Sequence, residues 1–336
     1  MKILAIGATG FIGRQVVDQL LRLGHVVTIL HRGQTDPVLD GVEHILGHRD
    51  RLSDLAKDVR RFDPDVVLDM ILFTERQAHE LVNVLRGMTN RLVVVSSADV
   101  YRHYDGFRRK ATAQPDSSPL DENASLRESR YPYRGDGLAF EHADDYDKIL
   151  VEQVVLSQPD LPATVLRLPA VYGPGDRGHR LRPYLQRMAD GRPAILLADE
   201  HARWRWTRGY VENVAAAIAL AVINGPATSR IYNVGEHPTP TEREWVDRIG
   251  AAAGWRGKVV TVRSDELPAH LRQPVDWRYD LHTSTDRIRR ELGYAEPVSA
   301  REAWARTLAW ERLHLHEVDR PDYAAEDAVL TTRQAV

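Results

Sequence analysis

The sequence predicts an α/β fold built on a doubly wound parallel sheet, with a smaller C-terminal lobe. Short, uniformly apolar runs alternate with amphipathic stretches, and the runs are too apolar for a sheet with one wet face. Such strand–helix alternation calls for right-handed crossovers that lay helices on both faces of the sheet. The first run covers residues 3–6; a glycine turn, an amphipathic stretch over 12–23 and a second run over 26–30 follow. Further strands are predicted at 66–71, 92–95 and 163–168, separated by helices at 52–59, 75–85 and 147–156. The interval from Tyr101 to about His142 is rich in Pro, Gly, Ser and Arg, has no sustained period and exceeds the usual connection length. It reads as an active-site cover rather than a mobile surface loop. Beyond residue 168 the elements shorten, seven prolines fall between Pro169 and Pro240, and helices are predicted at 181–188, 211–223, 242–252, 284–292 and 301–314. Order is expected to decay at Asp319-Arg320-Pro321-Asp322.

Composition narrows the function. A chain of 336 residues is long enough for one large core or two modest ones, and a formal charge of −3 excludes a domain-wide polycationic binder. Forty of the 45 basic residues are arginine, a compositional bias rather than a recognition surface. With no cysteine, disulfides, thiolate catalysis and Cys-ligated zinc are out. The apolar start is broken by glycines after five residues and has no signal-peptide pattern, and no run nears the roughly 18 apolar residues of a membrane span, so a soluble, cytoplasmic protein is expected. His314-Leu315-His316-Glu317 lacks the H-E-x-x-H spacing and reads as a solvated face, so no metal is expected; no G-x-S-x-G elbow points to a hydrolase.

Gly7-Ala8-Thr9-Gly10-Phe11-Ile12-Gly13 lies between the first strand and the first helix. The first glycine allows the tight turn, the second lets the backbone approach a pyrophosphate, and the third lets helix and strand pack closely. In that context the loop reads as a dinucleotide site in a Rossmann-like sheet. An NAD-specific site carries an acidic residue at the end of the second strand; here His31 stands there and Arg32 follows, which favours NADP over NAD through a guanidinium for the 2′-phosphate. The resulting division is a dinucleotide-binding domain over 1–166 to which 204–234 returns, a substrate-binding lobe over 167–203 and 235–320, and a tail over 321–336.

Together with GATGFIG (7–13), the segments VVVSSADVY (93–101), KILVE (148–152), LRLPAVYGPG (166–175), RGYVENVAAA (208–217), YNVG (232–235) and STDRIRRELGY (284–294) resemble the extended short-chain dehydrogenase/reductases, in particular the NAD-dependent epimerase/dehydratase group. The resemblance spans nearly the whole chain. It implies NAD(P) in the N-terminal lobe, a hydroxylated small-molecule substrate such as a sugar or nucleotide sugar, hydride transfer, and a homodimer through the helix near Lys148 and its neighbour. It assigns Ser97 to orient the reacting oxygen and Lys148 to tune a phenol and grip the ribose. Cofactor contacts are implied at Thr9, Phe11, Ile12, His48, Arg49, Met70, Ile71, Leu72, Leu168, Pro169 and Val171. Substrate contacts are implied at Asp99, Tyr133 and Arg208, the last against a substrate anion.

The catalytic tyrosine departs from the pattern. Y-x-x-x-K spacing places it at position 144, which is Asp144. On a helix, residues four apart share a face, whereas Tyr146, two before Lys148, projects to the other side. Tyr146 can supply the phenol only if the helix begins late; Tyr133, or Asp144 as a base, are the alternatives. Lys148 and Glu152 also satisfy the spacing of an ordinary i,i+4 surface pair. Ala170 replaces a usual asparagine and His48 a usual acidic residue. Chloroplast stem-loop RNA-binding proteins of the same superfamily also lack the tyrosine, so a non-redox RNA-associated role is the rival reading, with Arg203 to Arg208 and Arg108-Arg109-Lys110 as its phosphate contacts. The low net charge ranks it second, and a non-catalytic cofactor sensor third.

Overall fold

A computed structural model gives the architecture and describes residues 1–34, 41–138, 140–224, 229–315 and 322–334. From the N-terminus the chain forms β1 (Lys2–Ile6), α1 (Phe11–Arg22), β2 (Val26–His31), β3 (Glu43–Leu46), α2 (Ala56–Phe62), β4 (Val66–Asp69), α3 (Glu75–Leu85) and β5 (Arg91–Ser97). A short helix α4 (Arg102–Phe107) opens the long interval, which ends at α5 (Lys148–Leu156). Then come β6 (Ala163–Leu168), β7 (Ala170–Tyr172), α6 (Arg182–Ala189), β8 (Ala194–Ala198), α7 (Asp199–Arg203), β9 (Arg208–Tyr210), α8 (Val211–Asn224) and β10 (Arg230–Asn233). The last elements are α9 (Glu242–Ala253), β11 (Lys258–Val262), α10 (Asp286–Leu292), α11 (Ala300–His314) and α12 (Tyr323–Gln334).

Seven strands form one parallel sheet in the order β10-β6-β5-β4-β1-β2-β3. Successive side chains of β1 serve opposite faces, and both faces are covered: Ile3 and Ala5 pack with Val16, Leu20 and Ile218, whereas Leu4 and Ile6 pack with Leu81, Leu92 and Val155. That double burial is the physical cause of the uniformly apolar strands. Two small parallel pairs, β7 with β9 and β8 with β11, stand outside the sheet.

The strand order reverses between β1 and β4, and a doubly wound sheet opens a crevice at the carboxyl ends of the strands at such a point. Gly7 and the Met70–Leu72 segment follow those two strands and face each other there.

Three expectations are corrected. The helix expected over 52–59 is a 3₁₀ turn over Arg49–Leu55 that runs into α2, because Arg51 leaves helical backbone geometry with φ −131°. Residues 323–334 are not a tail: they form α12, whose Glu326 is buried against Arg187 of α6 with Oε1 2.6 Å from Nη2. Finally, the strand expected to reach residue 71 stops at Asp69, whose Oδ1 accepts the Ile71 N–H and turns the chain out of the sheet. The decay expected at 319–322 falls, up to residue 321, outside the described residues.

Candidate active site

The glycine loop is shaped for close approach. Gly7 has φ +74°, and a Cβ there would lie 2.5 Å from Ile71 Cγ1; a Cβ on Gly13 would lie 2.5 Å from the Ala8 Cα. A side chain at either position would wedge β1 from β4 or α1 from the loop. At Gly10, the N-cap of α1, an added Cβ would meet nothing within 4 Å, and no side chain caps the helix. The N–H groups and positive dipole of α1 therefore face open space, the arrangement that receives a diphosphate. This space is a cavity of about 400 Å³ lined by Thr9, Gly10, Phe11, His31, Arg32 and Ile71, among others. A dinucleotide's diphosphate fits the glycine cradle by shape and by charge.

Several side chains expected around the adenosine are otherwise engaged. The ring of His31 accepts the Gly33 N–H at Nδ1 (3.2 Å) and lies 3.0 Å from His44 through Nε2; burial, then the neighbouring His44, lower its pKa and keep it neutral. Arg49, 3% exposed, lines the glycine-loop cavity but turns its guanidinium to Asp69 and to the Gln77 carbonyl. His48 caps the 3₁₀ turn by accepting the Asp50 N–H. Ile12 packs beside the core, Met70 bonds its N–H to the Ile6 carbonyl, and Val171 is buried in the core of the short β7. Leu168 and Pro169 line a different cavity, the one beside Ser97.

That second cavity, about 200 Å³, is lined by Ser97, Asp99, Tyr104, Tyr133, Arg180 and Trp206, among others. Beneath it lies a cluster that the one-dimensional spacing hides. Helix α5 begins at Lys148, with Asp147 as its N-cap, so Tyr146 lies outside the helix and escapes helical geometry. Its phenol turns back to donate to Asp99 Oδ2 at 2.9 Å, and Tyr133 donates to the same oxygen at 2.8 Å. Lys148 Nζ lies 5.8 Å from the Tyr146 ring centre and donates to the Leu72 and Val95 carbonyls, both at 2.8 Å. Ser97, Asp99, Tyr133, Tyr146 and Lys148 thus converge, whereas Asp144 points away: it accepts the Gly135 N–H on the exposed side of the loop.

Burial governs the electrostatics here. It raises the Asp99 carboxyl, against the pull of Arg127, the two phenols and Lys148. Burial and the Asp99 charge push the Tyr146 phenol well above its ordinary value, with a hydrogen bond from Ser97 opposing. It lowers Lys148 to about 8, although Asp69, Asp99 and Glu152 favour the ammonium. Asp99 Oδ1 is buried with no hydrogen-bond partner.

The NAD dependent epimerase/dehydratase family model matches residues 3–235. The chain belongs to that family. It is 26% identical to a dTDP-glucose 4,6-dehydratase of Streptomyces griseus, over 93% of this chain and 94% of that protein. Its fold is similar to that of a UDP-glucose 4-epimerase from Stenotrophomonas maltophila described with bound NAD (TM-score 0.69, 18% identity, covering 95% of this chain and 100% of the other). A UDP-glucose 4-epimerase from Thermotoga Maritima is similarly close (TM-score 0.67, 17% identity, covering 94% and 100%).

Within this family member, Arg208 departs from the sequence reading. It is 4% exposed, its Nη2 meets Glu242 at 2.6 Å, and its guanidinium lies over Trp206 and Trp245. These partners occupy it outside the cavity beside Ser97, which Trp206 lines and Arg208 does not. Trp204 is likewise buried, with Nε1 donating to the Tyr279 carbonyl. Arg108, Arg109 and Lys110 are bonded within the chain, to Pro132 and Asp136, Val275, and Pro132 respectively. Within the clusters proposed as RNA contacts, Arg208, Trp204, Arg108, Arg109 and Lys110 thus bond within the chain, while Arg203 is exposed. Among the described residues no helix is long and apolar enough to cross a membrane.

Sequence reading missed Arg180, which lines both the Ser97 cavity and an adjoining one of about 360 Å³ that also holds Arg187, His201 and His270. It missed Arg127 too, which is buried beneath the cluster with Nε 2.5 Å from the Asp99 carbonyl. A signal for Arg180 existed in the basic segment Asp176-Arg177-Gly178-His179-Arg180 just past the glycine-rich turn; Arg127 gave none.

Proposed function

We propose that this chain is an NAD(P)-dependent, hydride-transferring enzyme of the epimerase/dehydratase type, acting on a hydroxylated, sugar-like small molecule beside Ser97. The observation that carries the reading is the phenol of Tyr146 bonded to Asp99, with Lys148 Nζ 5.8 Å from its ring centre, despite its displacement in sequence. A dinucleotide held with its diphosphate at the glycine loop would supply the hydride acceptor or donor through its nicotinamide. The protein's share is the proton. A phenol pushed up by burial does not ionise alone near neutral pH, but one that already donates to a carboxylate whose own pKa is raised can pass its proton on. As the alcohol carbon becomes a carbonyl carbon, the substrate hydroxyl proton moves to Tyr146 Oη, and the phenol's proton moves to Asp99 Oδ2. Ser97 orients the reacting oxygen. The Lys148 ammonium favours the Asp99 carboxylate as the resting acceptor and stabilises negative charge on the phenol oxygen while the two protons move.

Arg180 supports an anionic substrate group, since it lines both the Ser97 cavity and the larger one and stays a third exposed beside its partner Asp176, whereas Arg187 and His270 are spent on Glu326. The named substrates of the relatives, UDP-glucose and dTDP-glucose, have that form. The test is Tyr146→Phe: hydride exchange between nicotinamide and substrate, followed by deuterium incorporation, should fall by about 10²–10⁴-fold while dinucleotide binding persists. Unchanged exchange would remove Tyr146 from the reaction.

A further inference from the structure

We propose that Glu141, carried by the long loop before α5 and not by the end of β2, makes this chain select NAD over NADP, the reverse of the preference that Arg32 implies in sequence. The inference rests on the dinucleotide reading of the glycine-loop cavity. In this fold the residues ending β2 meet the adenosine ribose, and Arg32 lines the cavity just past that end. The Arg32 guanidinium is not idle: its Nη1 lies 2.5 Å from Glu141 Oε2. The other oxygen of Glu141 is 3.4 Å from His48 Nε2 and 3.7 Å from His142 Nε2, so the carboxylate is held from two further sides.

A 2′-phosphate drawn to Arg32 meets this carboxylate and must displace it or sit against a like charge. A 2′-hydroxyl has no such conflict, and can donate to the same oxygen that an acidic residue at the strand end would offer. Among the described residues the other cationic groups at this corner are engaged elsewhere: His31 is neutral, Arg49, which also lines the cavity, is bonded to Asp69 and the Gln77 carbonyl, Arg76 is paired with Asp50 at 3.3 Å, and Asp50 adds another negative charge 3.1 Å from His142. Arg177 also lines the cavity, but two residues from Gly175, which packs on Phe11 at the glycine-loop end. The device is invisible in sequence because Glu141 lies 109 positions from its partner.

The test is equilibrium binding of NAD and NADP to the full chain, its Glu141→Gln and Glu141→Ala variants, and the double variant Glu141→Ala with Arg32→Ala. Because the Arg32–Glu141 pair is about two-fifths exposed, the expected discrimination is moderate: NAD binds wild type about tenfold tighter than NADP, and less so as salt is raised. Glu141→Gln should tighten NADP and modestly weaken NAD, whose 2′-hydroxyl loses the carboxylate it donates to, closing the gap; adding Arg32→Ala to Glu141→Ala should weaken NADP again. Equal affinities in wild type, tighter NADP in wild type, or a ratio unmoved by Glu141→Gln would overturn the inference. If neither nucleotide binds wild type, the dinucleotide reading itself fails, an outcome separate from the other three.

Discussion

At the scale of single residues the decisive fact is that burial, more than charge pairing, sets how Tyr146, Asp99 and Lys148 share protons. Lys148 illustrates the consequence. Its pKa is lowered from 10.5 to about 8, chiefly by burial, so the ammonium exists below that pH and the amine above it. If the cation stabilises the developing charge on Tyr146, hydride exchange should decline as pH rises through about 8. Rates measured across that range in wild type and in Lys148→Arg, whose guanidinium stays charged, decide the matter: the alkaline decline should be lost in the variant, whatever its residual rate. Little of this was legible in sequence. Ser97 and Lys148 stand out by motif, and Asp99 by its neighbours, but the carboxylate between two phenols arises only when a loop residue, Tyr133, folds over a strand end.

At the scale of elements, the placement of Tyr146 depends on where α5 starts, and Asp147 fixes that start. Its Oδ1 accepts the Ile149 N–H at 2.9 Å, its Oδ2 accepts the Tyr131 N–H at 2.8 Å, and the buried Arg127 lies 3.6 Å away. Asp147→Ala leaves those donors and a buried cation without their acceptor, so it should cost about 3 kcal/mol or more in urea denaturation. Asp147→Asn, which keeps a capping oxygen, should cost less. Asp147 serves as the cap because it reaches both the helix and the loop. Long central elements were otherwise readable: α3 and β6 have the bounds that periodicity predicts. The three-residue strands β7 and β9 were not, since so short a segment carries no period and owes its conformation to its partner. Helix α12 was missed for a related reason: its one fully buried polar anchor, Glu326, makes sense only beside Arg187.

At the scale of the whole molecule, Glu236 ties the small β7/β9 pair to the end of β10. It accepts the Tyr172 hydroxyl at 2.9 Å and the Tyr210 N–H at 3.0 Å. Burial raises its pKa to about 7, against those two hydrogen bonds and with some help from the Glu296 charge. A carboxyl whose folded pKa exceeds its unfolded value binds its proton more tightly in the native state, so its contribution is fully present below about 4.5 and is lost as pH rises to about 7. Glu236→Gln keeps the acceptor and removes the titration. Thermal unfolding at about pH 8 should therefore show the variant to be more stable, by an amount on the order of 2 kcal/mol, and the two proteins should converge near pH 4.5. The same region bears on how the chain can be divided. Strand β10 completes the sheet beside β6, and α8 covers α1, although both follow β7, β8 and β9 in the chain. A fragment ending at residue 168 would lose both at once, baring the hydrogen-bonding edge of β6 and the apolar flank of α1. It would offer other copies a template for edge-to-edge association and should precipitate rather than persist as a working nucleotide-binding module.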